Sequence, residues 1–483
     1  MSATASAKGR SRSAKGFQSI KLHTWLMPAS PNIDRHSDMV AGRCALTDYY
    51  IIKVKWAEAA RLESQACHDV RLKAGAMTPP ILALAIFCII ATSSQIVSVV
   101  IAVIRLRWNP RESASAQQFP PVSLVRPLCG LDNYAADTLH STFALDYPHY
   151  EILFCVAAAS DPVVPLVKAL IAERANENAR LLIGDDRISS NPKLNNVVKG
   201  WRAARHDWIV LADSNVLMPP DYLRQLFYSW QADTGLVAAP PVGGRPDGFW
   251  AELECAFLNT YQARWQYVID SFGGGFAQGK TMLWRRVDLE QAGGIQALGK
   301  EVAEDAAATK IVRNARLKVR LVDRPFVQPL GRRGAAEVWQ RQVRWARLRR
   351  ASFLPYFLPE ALAGAVLPML AAAIVANANG LSPALGVSAV AIVWYGAEMG
   401  LAAAAEWDLP LLYPLHGLVR DLLLPVLFVS ALGGSDFVWR GNEMQVERIA
   451  PRRMMALMRP LVTELARGGR FKTARIVRNS AET

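Results

Sequence analysis

Cysteine and histidine are scarce in this chain, and neither is spaced as metal ligands usually are. The six cysteines include no CxxC pair, and the seven histidines are dispersed. This pattern argues against a zinc site and a disulfide framework, and it favours a reducing compartment. Acidic residues are also in deficit, with 41 Asp and Glu against 55 Lys and Arg, a net charge of +14. Such a charge suits nucleic acid, anionic lipid or phosphate-bearing substrates, but a hydrophobic content of 52% disfavours nucleic-acid binding.

Residues 1–76 are polar, basic and irregular, and the first 30 contain no acidic residue. The composition predicts a disordered extension and is compatible with a targeting peptide. Met77 directly precedes an apolar segment and resembles a natural N-terminus. The alternative is therefore that 1–76 is an upstream addition from a mis-assigned start and is no part of the functional protein.

Charge is missing from a long stretch after Met77. Ile81–Ile104 has no charged residue, and about 20 such residues cross a bilayer as a helix. We therefore predict a transmembrane helix within 77–110. Arg105, Arg107 and Arg111 follow it, which favours a cytoplasmic position for the next segment.

Three further apolar segments occupy 351–433, namely Phe357–Asn377, Leu381–Ala404 and Leu409–Gly433. Each contains charged or titratable residues, which are costly at mid-bilayer. The basic tail 434–483 is expected in the cytoplasm. Because three full crossings would put that tail outside, we expect Leu409–Gly433 to lie in the interface or to re-enter. The chain is thus predicted to be a multi-pass membrane protein whose region 111–350 faces the cytoplasm.

The region 111–350 alternates short β-rich runs with helical stretches. The runs nearest its start are almost continuously apolar, as strands covered on both faces are. This alternation predicts an α/β domain with a mostly parallel sheet. The candidate strands are 121–127, 150–157, 179–184, 208–213, 235–240, 281–286 and 319–324.

Carboxylates follow two of these strands, at the sheet edge where open α/β domains bind ligands. Asp213 begins the tripeptide Asp213-Ser214-Asn215, in outline a site for Mg²⁺ or Mn²⁺ that shares ligands with a substrate diphosphate. Asp161 could bind a ribose or a base edge. Both also suit a structural role, Asp213 capping a turn and Asp161 capping the helix that starts at Pro162.

Glu304-Asp305 begins a helical stretch. A carboxylate there could be a general base that deprotonates an acceptor hydroxyl. The alternative is that both acids simply favour the positive end of the helix dipole.

A basic and aromatic cluster closes the series on one predicted helix. Arg341 and Arg344 are three residues apart and share a helical face, so that both guanidinium groups could receive a diphosphate leaving group. Trp345 offers a flat apolar wall for an acceptor. The alternative is a basic helix that touches lipid head groups.

Gly274–Thr281 matches the GxxxxGK[ST] pattern of a phosphate-binding loop. Such a loop must follow a strand and open a helix. Here the preceding segment is predicted to be a helix and the following one a strand. We therefore interpret it as a flexible glycine-rich loop near the acceptor site, not as an NTP-hydrolysing loop.

Together these motifs resemble the ceramide glucosyltransferase family of inverting, membrane-bound glycosyltransferases, over about residues 80–445. The matching stretches are PVSLVRPLCGLD, LDYPHYEILFCVAAASDP, ARLLIGDDRISSNPKLNN, EVAEDAAATK and RQVRWARLR. The resemblance implies a GT-A fold, Rossmann-like with a mostly parallel sheet and flanked by transmembrane helices. Its nucleotide is expected on Asp161 and Lys193, its divalent metal on Asp213 and its catalytic base at Asp305. The (Q/R)xxRW motif corresponds to Arg341, Arg344 and Trp345.

The chain departs from the family pattern at two places. Asn215 occupies a position where members vary, so the resemblance does not assign it as a ligand, and Arg126 replaces a frequent lysine with retention of charge. The implied reaction transfers a hexose from a UDP-sugar to the primary hydroxyl of a membrane lipid. Glucose is the favoured sugar and ceramide the favoured lipid, and the transfer inverts the anomeric centre. Diacylglycerol or a hopanoid polyol, including transfer of N-acetylglucosamine, is the alternative. More distant alternatives are a non-catalytic membrane scaffold and a processive polysaccharide synthase, which would need more crossings.

Overall fold

The computed structural model describes residues 78–107, 119–174, 178–439 and 442–446. The predictions for 1–76 and for most of the basic tail fall outside these residues. The strands are β1 (Val122–Leu128), β2 (Tyr150–Val156), β3 (Ala179–Ile183), β4 (Trp208–Ala212), β5 (Thr234–Ala238), β6 (Val242–Asp247), β7 (Thr281–Arg285), β8 (Lys318–Leu321), β9 (Val327–Arg332), β10 (Asp436–Trp439) and β11 (Asn442–Gln445).

The helices alternate with these strands and then continue into the apolar C-terminal segments. They are α1 (Pro79–Arg107), α2 (Ala135–His140), α3 (Val163–Glu173), α4 (Pro192–Ala203), α5 (Tyr222–Tyr228), α6 (Phe249–Cys255), α7 (Arg264–Ser271), α8 (Arg286–Gln291), α9 (Glu304–Asn314), α10 (Ala335–Ser352), α11 (Leu354–Phe357), α12 (Val366–Ala378), α13 (Pro383–Ala404) and α14 (Tyr413–Gly433). A π-helical segment, Ala256–Ala263, joins α6 to α7.

The central sheet has seven strands in the order β3-β2-β1-β4-β7-β5-β8. Neighbours are parallel except at β7, which runs antiparallel to both β4 and β5. All seven predicted strands are in this sheet, so the predicted mostly parallel α/β fold is confirmed. The last one ends earlier than expected, at Leu321.

Strands β6 and β9 were not predicted, and they form a separate parallel pair. Their sequences explain the omission. Gly243, Gly244 and Pro246 lie in β6, and Pro329 lies in β9. These residue types are depleted in strands, because glycine packs poorly and proline cannot donate to the ladder.

The core forms where apolar strands are covered on both faces. Every residue of β1 is buried, and α4 packs closely on this part of the sheet. A Cβ atom on Gly200 of α4 would lie 2.4 Å from Val125 and 2.7 Å from Cys155. Only glycine allows that approach. The chain order of the strands reverses between β1 and β4, and this reversal opens a crevice at their carboxyl ends.

Four helices in the described part of the chain are long and apolar enough to cross a membrane. They are Pro79–Arg107, Leu354–Ala378, Pro383–Ala404 and Tyr413–Gly433. Each overlaps one of the predicted segments. The orientation of the chain in the membrane, and the re-entrant course of the last segment, stay predictions.

The charges inside these apolar helices pair with one another. Arg420 of α14 lies 3.0 Å from the Glu398 carboxylate of α13 and 2.8 Å from that of Asp421. Glu398 also accepts hydrogen bonds from Gln95 of α1, at 3.0 Å, and from Tyr413, at 2.8 Å. All five side chains are buried. Such pairing reduces the cost of burying a charge among apolar helices.

Arg264, the first residue of α7, joins the same network. Its guanidinium donates to Ser98 of α1 at 3.0 Å and also to Gln95, and it lies 3.9 Å from Glu398. With Arg420 and Asp421, the network contains two cations and two carboxylates, so its charges balance. It connects α7 to the apolar helices α1, α13 and α14.

Candidate active site

The carboxylate of Asp213, directly after β4, is held between two ammonium groups. The Nζ atom of Lys193 lies 2.7 Å from one oxygen, and the Nζ atom of Lys280 lies 3.0 Å from the other. Burial would raise the pKa of Asp213, but the two positive charges outweigh it and hold that pKa below its ordinary value. Asp213 is therefore ionised.

Lys193 also binds the second acidic cluster. Its Nζ atom lies 2.6 Å from Glu304, so that one ammonium group bridges the end of β4 and the start of α9. Burial would lower the pKa of Lys193, yet Asp213 and Glu304 together raise it. The structure thus brings together three of the predicted positions, Lys193, Asp213 and Glu304-Asp305.

The SNPKLNN motif explains why Lys193 points into the site. Asn191 caps α4, accepting hydrogen bonds from the backbone of Lys193 and Leu194 at 2.9 and 3.1 Å. Pro192 is the first residue of α4, where its fixed φ is favourable. The Asn191 amide also donates to Glu304 at 2.7 Å. The first turn of α4 is therefore fixed to the start of α9.

Asp305 lies beside the loop that precedes β7. Its Oδ2 atom accepts a hydrogen bond of 3.1 Å from the backbone of Gly279, and Oδ1 accepts one of 2.8 Å from Ala306. Burial, together with the negative charge of Glu304, raises the pKa of Asp305 to about 6, against the opposing effect of Lys193. A carboxylate with this pKa is basic enough to accept a proton near neutral pH.

Gly279 of this loop lies against the charged cluster. A Cβ atom there would lie 2.8 Å from a Glu304 oxygen and 3.0 Å from the Lys193 ammonium. A side chain at that position would force the Glu304 carboxylate or the Lys193 ammonium to shift. As predicted, the motif follows a helix, α7, and precedes a strand, β7, which is the reverse of a nucleotide-hydrolysing loop.

Arg126, at the position where the family often has lysine, supports the Asp213 loop. Its guanidinium donates to the backbone oxygens of Asp213, Ser214 and Val216 at 2.9, 2.8 and 3.1 Å. Burial lowers its pKa to about 10. Since it still carries its charge at neutral pH, Arg126 can hold three carbonyl groups at the end of β4.

Arg341 is bound to a carboxylate. It lies 2.6 Å from Glu254 of α6, which is fully buried. The positive charge of Arg341 also contributes to a lowered pKa of Lys280, although burial is the larger cause. The charge of Arg341 therefore influences Lys280, which contacts Asp213. Arg344 and Trp345 are half-buried on the same helix, and Trp345 packs against Cys255, Leu258 and Leu330.

Asp161 makes the contacts expected if its role is structural, at the start of the following helix. Its carboxylate accepts hydrogen bonds from Gly130 at 3.0 and 3.1 Å and from Val163, at the start of α3, at 2.9 Å. It thus ties the end of β1 to the helix that follows β2. No contact of Asp161 with Lys193 or Asp213 is among those of the described residues. Its role as a nucleotide ligand stays a prediction.

The donor atoms around Lys280 are suited to a hard cation. The Lys280 ammonium lies 3.0 Å from Asp213 Oδ2 and 3.1 Å from Asn215 Oδ1, so a positive charge already stands between two oxygen donors that Mg²⁺ or Mn²⁺ accepts. Among the described residues no group of three or more His, Cys, Asp or Glu could hold a metal. Asp213 and Asn215 therefore suit a cation that takes its other ligands from a substrate.

Three contributors to this site were missed in the sequence. Lys280 was assigned to an acceptor-side loop, but its side chain reaches Asp213. Glu254 carries no motif, and only the tertiary contact with Arg341 reveals it. Gly279 is only one glycine of a glycine-rich pattern. The one sequence signal for both Gly279 and Lys280 is a Gly-Lys pair directly before a predicted strand.

The sequence model of glycosyl transferase family 21 matches residues 86–450. The chain is 25% identical over 334 residues to ceramide glucosyltransferase 1 of Caenorhabditis elegans, covering 68% of this chain and 72% of that protein. It is 39% identical over 103 residues to a ceramide glucosyltransferase of Komagataella phaffii, covering 20% of each.

Among solved structures, the mannosyltransferase PcManGT of Pyrobaculum calidifontis, in complex with GDP-Man and Mn²⁺, is similar at 18% identity and a TM-score of 0.41. The similarity covers 73% of this chain and 97% of that one. At a TM-score below 0.5, this likeness supports no conclusion about ligands or activity.

Proposed function

Since the chain belongs to glycosyl transferase family 21, the ceramide glucosyltransferase family, we propose that it transfers glucose from a UDP-sugar to the primary hydroxyl of ceramide, with inversion. The chain is a glycosyltransferase with a GT-A catalytic domain, and its apolar helices fit a membrane protein. The sugar, the lipid and the stereochemistry are the proposed part.

The observation that carries the proposal is the meeting of a proton acceptor and two ammonium groups around the loop that contains Gly279 and Lys280. Asp305 accepts a hydrogen bond from Gly279, and Lys280, the next residue, lies on Asp213 beside Lys193. Glycosyl transfer with departure of a diphosphate needs both a base and positive charge.

In the proposed reaction, the lipid hydroxyl attacks the anomeric carbon of the donor. The bond between that carbon and the diphosphate oxygen breaks, and its electron pair leaves with UDP. Asp305 takes the hydroxyl proton. Lys193, Lys280 and Arg341 supply positive charge near the departing diphosphate. A single displacement of this kind inverts the anomeric centre.

We also propose a divalent cation, Mg²⁺ or Mn²⁺, held by Asp213 and Asn215. When bound, such an ion supplies charge stabilisation to the diphosphate. Asp161 is proposed to contact the nucleotide, and Trp345 to face the acceptor. The catalytic domain is proposed to lie on the cytoplasmic side, in keeping with Arg105 and Arg107 at the end of α1.

The acceptor lipid has two open alternatives, diacylglycerol and a hopanoid polyol, each with glucose or N-acetylglucosamine as the transferred sugar. The relatives' names favour ceramide. Membrane fractions supplied with each lipid and with labelled UDP-glucose, UDP-galactose or UDP-N-acetylglucosamine test the proposal. Label in ceramide from UDP-glucose is the expected result. Label in another lipid replaces the acceptor, and failure of the purified protein to bind UDP overturns the proposal.

A further inference from the structure

Lys280, the lysine of the GxxxxGK[ST] motif, occupies the position at which a divalent cation is proposed. Lys280 Nζ lies 3.0 Å from Asp213 Oδ2 and 3.1 Å from Asn215 Oδ1. An ammonium ion and a divalent cation compete for the same oxygen lone pairs. The side chain is largely buried, with 19% of its surface exposed, so little water screens the contact.

The backbone on both sides of Lys280 is held in place. The Asp213 N–H donates to the Lys280 carbonyl at 3.0 Å, which pairs the loop with the end of β4. Further back, Arg313 donates to the Gly274 and Gly275 carbonyls at 2.9 and 3.2 Å, and its guanidinium lies 4.4 Å from the centre of the Phe276 ring. The loop backbone therefore fixes the ammonium between Asp213 and Asn215. Only the Lys280 side chain needs to move for the ammonium to leave that position.

The two lysines on Asp213 are not equivalent. Lys193 also pairs with Glu304 at 2.6 Å, so it keeps a carboxylate partner if Asp213 is taken over by another cation. Lys280 has one carboxylate, Asp213, among its ion pairs in the described residues, and Arg341 repels it electrically. Because Lys280 has fewer carboxylate partners, it is the lysine that an incoming cation would displace from Asp213.

We propose that the Lys280 ammonium fills the cation position between Asp213 and Asn215 in the donor-free protein and moves onto the diphosphate when a nucleotide sugar and a divalent cation bind. This inference rests on the proposed function for the identity of the diphosphate. The competition between Lys280 and a divalent cation does not require that function.

The first test measures Mn²⁺ binding to the purified full chain by electron paramagnetic resonance, without nucleotide or lipid. Removal of the ammonium in Lys280→Met is expected to tighten Mn²⁺ binding about tenfold, because the positive charge that competes for the same oxygen atoms is gone. Lys280→Arg, which keeps the charge, is expected to bind Mn²⁺ as the parent does. Unchanged or weaker binding in Lys280→Met overturns the proposal, as does the absence of Mn²⁺ binding in every variant.

Lys318→Met is the matched control. Lys318 is also a paired lysine, 2.8 Å from Asp233, but its partner lies outside the Asp213 cluster. Its removal is expected to leave Mn²⁺ binding unchanged. An equal gain in this variant would attribute the effect to net charge alone and overturn the assignment to Lys280.

The second test measures UDP affinity at saturating Mn²⁺. Lys280→Met is expected to weaken UDP binding about tenfold, because one of the cations on the diphosphate is lost. Unchanged UDP affinity overturns the movement onto the diphosphate. Tighter Mn²⁺ binding in Lys280→Met together with no lipid labelling in the parent protein would support the competition and sink the proposed function, so the two failures are distinguishable.

Discussion

The carboxylate of Glu254 lies 2.6 Å from the guanidinium of Arg341 and has no exposed surface of its own. Glu254 belongs to α6, whereas Arg341 belongs to α10, the helix of the RxxRW motif. A buried carboxylate that holds one end of a guanidinium restricts its orientation. The position of the motif arginine is therefore set by a residue almost ninety positions earlier in the chain.

Glu254→Gln should weaken UDP binding about tenfold, or about 1.4 kcal/mol, because Arg341 loses its orienting partner. If Glu254 acted through its negative charge alone, the substitution would instead strengthen binding of the anionic nucleotide. The direction of the change in UDP affinity, measured by calorimetry, separates the two roles.

Glu337→Gln is the control for this experiment. Glu337 also lies near Arg341, at 3.7 Å, but on the exposed surface. Exposed ion pairs contribute little, so UDP affinity should stay within about twofold of the parent value. Equal losses in both variants would contradict a specific role for Glu254.

Asp305→Asn should lose transfer by about 10²–10⁴-fold while retaining UDP binding, because a general base contributes that much. The same variant should unfold at an equal or higher temperature at pH 7.5. The pKa of Asp305 is raised to about 6 in the folded protein, so ionisation above that pH costs stability, and asparagine removes the cost. Retained transfer would exclude Asp305 as the base.

The pH dependence of kcat/KM for the donor should report the same carboxyl. Below about pH 6 the rate should fall tenfold per pH unit, because Asp305 is then protonated. Glu304→Gln removes a like charge that raises the pKa of Asp305, so it should move this limb to lower pH. A limb that stays in place in Glu304→Gln would show that another group is responsible.

Glu398→Gln should destabilise the protein by about 3–5 kcal/mol, since it leaves buried cations without their carboxylate. Arg420 lies 3.0 Å from Glu398, and both are buried. Denaturant unfolding in detergent measures the change. Glu406→Gln, at an exposed acid just past α13, should be neutral. A stability loss below about 1 kcal/mol, as small as that of an exposed ion pair, would contradict a stabilising role for the buried Glu398 carboxylate.

Local pattern was enough to predict the sheet strands and the apolar helices. The alternation in 111–350 and the charge-free Ile81–Ile104 segment each reflect how many faces of an element are buried, and that information lies in consecutive residues. The strands β6 and β9 escaped prediction because their glycines and prolines mask the pattern. Their pairing is decided by contacts across the fold.

By itself the sequence determined the fold class, the membrane segments and most of the polar residues at the carboxyl ends of the strands, because these follow from spacing along the chain. Only the tertiary structure decided which of them meet. It placed Lys280 on Asp213, paired Glu254 with Arg341 and turned Asp161 towards Gly130. Electrostatic contacts depend on distances of a few ångströms between residues that are far apart in sequence, and the chain's linear order does not contain those distances.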